Sequence, residues 1–408
     1  MAFDNISRRN FFKLSGVAAA GLGLVACGNS GSSDGDAPEA GSDTFKIGGI
    51  GPVTGAAAIY GNATKYGAQV AVDEVNAEGK IKMALNWQDD EHDPEKSVNA
   101  YNTLKDWGMQ ILVGTTTTGP CVAVSTETNS DRIFELTPSA SSVNVLGGEE
   151  IGADNPRKDN VFQMCFTDPN QGTASAQYIA NQKLGEKIAI IYNNADAYST
   201  GIYQKFVDEA KSLKLDVVST TTFTDDQTDF SVQVGDAKNA GADLLFLPIY
   251  YTPASLILAA AKKQDYAPKF FGVDGMDGIL TLEGFDTSLA EGVMLLTPFV
   301  ATAEDDATQA FDEAYKAAAK TEENPNQFAA DAYDCVKAIA SAIDAAGLTP
   351  DQATDELCDA LIAQFTDAGF SYSGLTGENM QWSATGEVTK DPKGMVIQNG
   401  VYMPLDEE

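Results

Sequence analysis

The sequence predicts an α/β protein made of two lobes, each a doubly wound parallel sheet covered by helices. Three observations predict it. Short apolar stretches recur along the chain, separated by amphipathic stretches of helical length. The apolar stretches are continuous rather than alternating, which marks strands buried on both faces and so a parallel sheet between helices. About 365 residues follow the N-terminal segments, too many for one compact core, so two are expected.

Residues 45–50 read as the first strand, followed by a Gly/Pro turn and an amphipathic helix over 61–76. Strand 83–87, helix 94–107, strand 110–113, helix 121–130 and strand 133–136 continue the alternation. Strands 161–166, 187–192 and 242–248 follow, with helices over 201–213 and 255–264. In open parallel sheets ligands bind in the crevice at the carboxyl ends of the strands. That rule selects the loops 51–60, 114–120, 137–142, 193–201, 249–253 and 272–278.

The N-terminal segments concern location. Ser7-Arg8-Arg9-Asn10-Phe11-Phe12-Lys13 is a twin-arginine export motif directly before an apolar run, residues 14–26. That run falls short of the roughly 20 apolar residues a membrane span needs. It ends in Leu24-Val25-Ala26-Cys27-Gly28, which resembles the bacterial lipobox, so the expectation is cleavage before Cys27 and acylation of its thiol. The competing reading is an ordinary signal peptide with an incidental cysteine. Residues 28–44, rich in Gly, Ser, Asp and Ala, read as a flexible tether between lipid and body. The expected location is extracytoplasmic, on the bacterial membrane and held there only by the lipid.

Net charge is −33, and removing residues 1–26, with Arg8, Arg9, Lys13 and Asp4, leaves −35. Such a chain repels nucleic acid, and no basic stripe suggests otherwise. Cys121, Cys165, Cys335 and Cys358 lack CxxC spacing and histidine partners, which argues against a metal site. Cys335 and Cys358 fall on consecutive predicted helices, leaving two readings open: a disulfide, or buried free thiols. Catalytic constellations are missing. The sole histidine, His92, sits in Asp89-Asp90-Glu91-His92-Asp93 and reads as part of a solvated acidic loop. The nearest approach to a nucleophile elbow, residues 197–201, lacks the first glycine. Gly49-Ile50-Gly51-Pro52-Val53-Thr54-Gly55 misses the dinucleotide spacing, and there is neither a phosphate loop nor HExxH. No enzyme, cofactor or metal is indicated.

The predicted loops carry a resemblance. Ile50-Gly51-Pro52-Val53-Thr54-Gly55 with Tyr60-Gly61, residues 67–76, Asp89-Asp90 with Asp93-Pro94, Thr137-Pro138-Ser139-Ala140-Ser141, residues 162–172 and Tyr198-Ser199-Thr200-Gly201 occur in order. From Phe45 to Met403 the sequence resembles the leucine/isoleucine/valine-type binding proteins of ABC transporters, with the type I periplasmic binding protein fold. The resemblance implies two lobes joined by three crossovers, near 167–168, 297–298 and 393–394, that close on ligand like a hinge. The lobes would be 45–167 with 298–393, and 168–297 with 394–408.

By position, the resemblance places the ligand carboxylate at Thr118, where helix-terminal N–H groups attract an anion. Ser139, Ala140 and Ser141 match the second backbone-and-hydroxyl wall. Tyr198 and Tyr250 match aromatic residues of the second lobe, and Asp274 matches the acid that pairs with the ligand ammonium. Tyr60 and Phe328 match the side-chain pocket. Each has a plainer reading: a Thr cap, an Asp–Gly turn, core aromatics. Three departures stand out. The family's disulfide between the loops at His92 and Thr117 is absent, Thr118 replaces a serine, and Asp274 replaces a glutamate. The implied function is capture of a small polar ligand, an amino acid, for delivery to an ABC permease and ATPase. The competing readings are a ligand sensor of the same fold working with a receptor, and a binder of an amide or small carboxylate.

Overall fold

The computed structural model describes residues 38, 40–147 and 156–405. The export motif, Cys27 and most of the 28–44 tether lie outside the described residues. Among the described residues no helix is long and apolar enough to cross a membrane.

Strands β1 (Phe45–Ile50), β2 (Met83–Gln88), β3 (Ile111–Val113), β4 (Phe134–Thr137) and β5 (Val161–Gln163) form one sheet in the order β2-β1-β3-β4-β5. Every pair in it is parallel. Helices α1 (Ala58–Glu78), α2 (Pro94–Trp107) and α3 (Thr118–Asp131) are its crossovers. The chain then passes to a second sheet through α4 (Asp168–Asn181). Strands β6 (Lys187–Asn193), β7 (Asp216–Phe223), β8 (Leu244–Leu247), β9 (Lys269–Gly272) and β10 (Met294–Thr297) alternate there with α5 (Ala197–Leu213), α6 (Ser231–Asn239) and α7 (Tyr251–Lys263). Helices α8 (Asp306–Ala319), α9 (Gln327–Ala346) and α10 (Thr354–Phe365) follow, and α9 and α10 pack on the first sheet. Strands β11 (Lys393–Gln398) and β12 (Val401–Pro404) then complete the second sheet, ordered β12-β11-β10-β9-β8-β6-β7.

The second sheet is mixed. Strands β6 to β10 pair in parallel, whereas β11 and β12 are antiparallel. Between β11 and β12 the local cause is Asn399-Gly400, whose positive φ values (54° and 75°) suit the tight two-residue turn of a hairpin.

Each sheet owns a core. Beneath the first, Phe134, Phe162 and Phe365 meet ring to ring at 4.9–5.6 Å. Beneath the second, Phe206 stacks on Phe246 at 3.9 Å. Burying each such ring stabilises the fold by roughly 1.5–3 kcal/mol. A third cluster joins the two, with Tyr60, Phe311 and Phe328 against Leu247, Ile249 and Met276. Helix α1 reaches it because two of its residues lack a side chain. A Cβ on Gly61 would stand 1.9 Å from the Pro52 carbonyl oxygen, and one on Gly67 2.0 Å from that of Ala329. Both helices and loop are therefore drawn to backbone contact.

Cys121, Cys165, Cys335 and Cys358 are all buried free thiols, so the disulfide reading for Cys335 and Cys358 is set aside. Burial pushes the Cys358 thiol up to about 12 and the other three well above their ordinary value.

Candidate functional site

A small cavity lies where the strand ends of both sheets converge. It is lined by Tyr60, Thr116, Thr117, Ser139, Tyr198, Tyr250, Asp274, Gly275 and Phe328. Six of the nine residues singled out from the sequence meet there: Tyr60, Ser139, Tyr198, Tyr250, Asp274 and Phe328. Thr118, Ala140 and Ser141 are buried but do not line it. Thr118 is the first residue of α3 and Thr117 its N-cap, so the lining comes from one or two residues earlier in the same threonine run. Ala140 is turned into the protein, with its carbonyl receiving Gln163 Nε2 at 2.7 Å.

The first-sheet side of the cavity offers hydroxyls. Ser139 donates to the Thr116 carbonyl at 2.5 Å, and the Thr116 hydroxyl meets that of Thr64 at 2.9 Å. The second-sheet side offers rings around one acid. Tyr198 opens α5 behind the N-cap Asp196, whose carboxylate accepts its N–H. Tyr250 is the N-cap of α7 and stacks on Tyr198 at 4.7 Å and 6°. Asp274 sits on the 3-10 turn Asp274–Met276 after β9 and accepts from the Tyr198 hydroxyl at 2.5 Å. That hydroxyl in turn receives the Gly275 N–H at 2.9 Å, and Gln171 Oε1 receives the Asp274 N–H at 3.1 Å.

Among the described residues, Asp274 is the only charged one in the lining. Burial pushes its carboxyl up to about 7, against the hydrogen bond from the Tyr198 hydroxyl that favours the ionised form. A cation placed beside it would restore the charge. Asp168, at the start of α4, is also buried and its carboxyl is raised well above the ordinary range, first by burial.

The two sides are held together directly. Tyr60 donates from its hydroxyl to the Gly275 carbonyl at 2.5 Å, and Gln327 donates from Nε2 to the Asp274 carbonyl at 3.2 Å. The Tyr251 hydroxyl donates to the Ala56 carbonyl at 2.8 Å. The enclosed volume is about 10 Å³, room for roughly one water molecule. A larger solute enters only if the two sides part.

His92 corrects the sequence reading. It is half-buried rather than solvated, its Nδ1 lies 2.8 Å from the Thr117 hydroxyl, and its ring meets Tyr250 edge-on at 5.7 Å and 89°. Burial holds its pKa below the ordinary value. Sequence reasoning also passed over Gln171, although it lies within the matched stretch 162–172. The charge-poor loop around Thr117 offered no signal that would distinguish neighbouring threonines.

A family model described as periplasmic binding protein matches residues 44–400. The chain is 28% identical over 311 residues to Leu/Ile/Val-binding protein homolog 3 of Brucella melitensis, covering 75% of this chain and 80% of that one. It is 25% identical over 310 residues to the leucine-, isoleucine-, valine-, threonine- and alanine-binding protein of Pseudomonas aeruginosa, covering 75% and 79%. Among solved structures, the branched-chain amino acid transporter substrate binding protein LivJ of Streptococcus pneumoniae, in complex with isoleucine, superposes with a TM-score of 0.76 at 26% identity, covering 88% of this chain and 97% of that one. Two α/β layers meeting over a ring-lined acid, in a sequence matched nearly end to end, place this chain in the periplasmic binding protein family.

Proposed function

We propose that this protein captures an α-amino acid between its two lobes and delivers it to an ABC permease and ATPase. One observation carries the reading: the single charged group facing the cavity is a buried carboxylate, Asp274, held by Tyr198 and framed by aromatic rings. Across the cavity from it stand the hydroxyls of Thr117, the N-cap of α3, and of Ser139, in the loop after β4, and a helix N-terminus suits an anion. One acid facing one anion seat is complementary to a zwitterion. Thr118, Ala140 and Ser141 would back that seat, while Tyr60 and Phe328 would receive the side chain. Relatives named for leucine, isoleucine and valine, and a similar structure holding isoleucine, support an aliphatic amino acid.

Binding would part and close the lobes at the crossovers near 167–168, 297–298 and 393–394. The test is calorimetry with leucine, isoleucine and valine, with mass spectrometry of whatever the purified protein releases on unfolding. At least one amino acid should bind, raise the melting temperature with its concentration and shrink the radius of gyration. No heat with any amino acid would sink the reading.

The anchor is part of the same proposal: Cys27, acylated, holds the protein on the outer face of the cell membrane. Cys27→Ser should release it into the soluble fraction. If the variant still partitions with membranes into detergent, Cys27 is not the anchor.

A further inference from the structure

A second cavity, of about 500 Å³, lies next to the first and shares none of its lining residues. It is built from the same segments by their neighbours: Ile59 beside Tyr60, Asp277 beyond Gly275, Asn326 two residues before Phe328. Its walls come from both lobes, with Ile59, Tyr66 and Tyr315 on one side and Asp277, Leu280 and Tyr402 on the other.

We propose that this cavity is a second small-molecule site that takes an organic cation, an ammonium carried on an apolar body, and whose occupancy favours the closed lobes. Size is the first support, since the volume falls within the range of small-molecule pockets. Charge is the second. The charged residues of the lining are Asp277 and Glu323, both acids, with no Lys, Arg or His. The nearby cations stand behind the wall: Lys316 pairs with Asp312 and donates to Asn324, a lining residue, and Lys65 lies over the ring of Tyr66, another, at 5.6 Å, while neither is itself part of the lining.

Asp277 is the third. It is 2% exposed, and its Oδ2 accepts the Gln327 N–H at the start of α9 at 3.0 Å. Its Oδ1 has no partner at hydrogen-bond geometry, although the Tyr402 hydroxyl is near enough to favour the ionised carboxyl. Burial pushes that carboxyl up to about 6, so a cation alongside relieves a standing cost. The rings of Tyr315 and Tyr402 add electron-rich walls that attract an ammonium. Because both lobes contribute walls, a bound molecule touches the two together only when they are closed.

The test uses the full chain with phenethylammonium chloride as the probe and 2-phenylethanol as its uncharged counterpart, followed by calorimetry and melting temperature. Phenethylammonium should bind and stabilise, and the alcohol should bind at least ~10-fold more weakly. Asp277→Asn should weaken phenethylammonium by about 30-fold or more, while Asp274→Asn leaves it unchanged. Should Asp277→Asn not fold, Ala301→Trp fills the cavity from its rim and should abolish phenethylammonium binding. No binding to the unaltered protein, equal binding of the alcohol, retained binding in Ala301→Trp, or loss in Asp274→Asn would each overturn the proposal. The Asp274→Asn arm separates this cavity from the amino-acid cleft.

Discussion

Asp274→Asn is expected to weaken binding of leucine by roughly 30-fold to several thousand-fold. The carboxylate is buried, with Tyr198 donating to it at 2.5 Å, so the substitution keeps shape and hydrogen-bonding capacity while removing the charge. A ligand ammonium then enters the cleft desolvated and unpaired. The carbon skeleton alone should be insensitive: 4-methylpentanoate, leucine without its amino group, should bind the variant nearly as it binds the parent. A pH signature accompanies this. Without ligand the Asp274 carboxyl titrates near 7 because of burial, and pairing with an ammonium requires it ionised. Below about 7, binding must expel a proton, so leucine affinity should fall as pH drops and level off above it. The Asn variant should lose that dependence. Calorimetry on both proteins with both ligands decides the matter, and leucine binding within about twofold of the parent would remove the ammonium from this position.

Lys390→Met should cost about 3–5 kcal/mol of stability. Lys390 and Asp331 form a buried ion pair at 2.7 Å, with side chains 1% and 2% exposed. The ammonium also donates to Thr376 at 2.6 Å. Thr376 in turn donates its N–H and hydroxyl to Asp334 at 2.8 and 2.6 Å. The network ties the segment before β11 to helix α9. Deleting the cation strands Asp331, whose carboxyl burial already pushes up to about 6 despite its partner. Protonation of Asp331 is the escape, so the loss should be largest near pH 8 and shrink as pH falls towards 6 and below. The double variant Asp331→Leu/Lys390→Met should recover part of the stability, because the charge of Asp331 goes with that of its partner while buried Asp334 keeps only the hydrogen bonds from its neighbours. Urea unfolding of the three proteins measures it. A single variant within about 1 kcal/mol of the parent would mean water or another group compensates the charge.

Most strands legible in the sequence are long apolar runs, whereas the four-residue β9 and β10 were not read, although β10 is buried throughout. Strand 45–50 is β1 as read, and 187–192 is β6 less its last residue. Strand β7 was missed because Asp216–Phe223, two valines followed by Ser-Thr-Thr-Thr at a sheet edge, is mostly exposed or half-exposed and gives no apolar run. Strands β11 and β12 were missed because an antiparallel hairpin returning from the other lobe has no local sign beyond Asn399-Gly400. Helix α3 begins at Thr118 rather than at 121, three residues that decide which threonine faces the cleft. Within the site, the large aromatics and the acid were legible because they are rare residues in matching loops. Contacts across the lobes, such as His92 against Tyr250, depend on how the two halves meet, and no short stretch of sequence encodes that.

The pair His92 and Thr117 joins the two loops for which the family resemblance implies a disulfide, while the four described thiols stay buried and free. Among the described residues no disulfide therefore links these loops. The coupling has moved from electrons to protons. Burial disfavours the charged imidazole, so lowering the pH works against the packed position of His92. For a protein proposed to work outside the cytoplasm, the tie beside its cleft answers to acidity and is blind to redox potential.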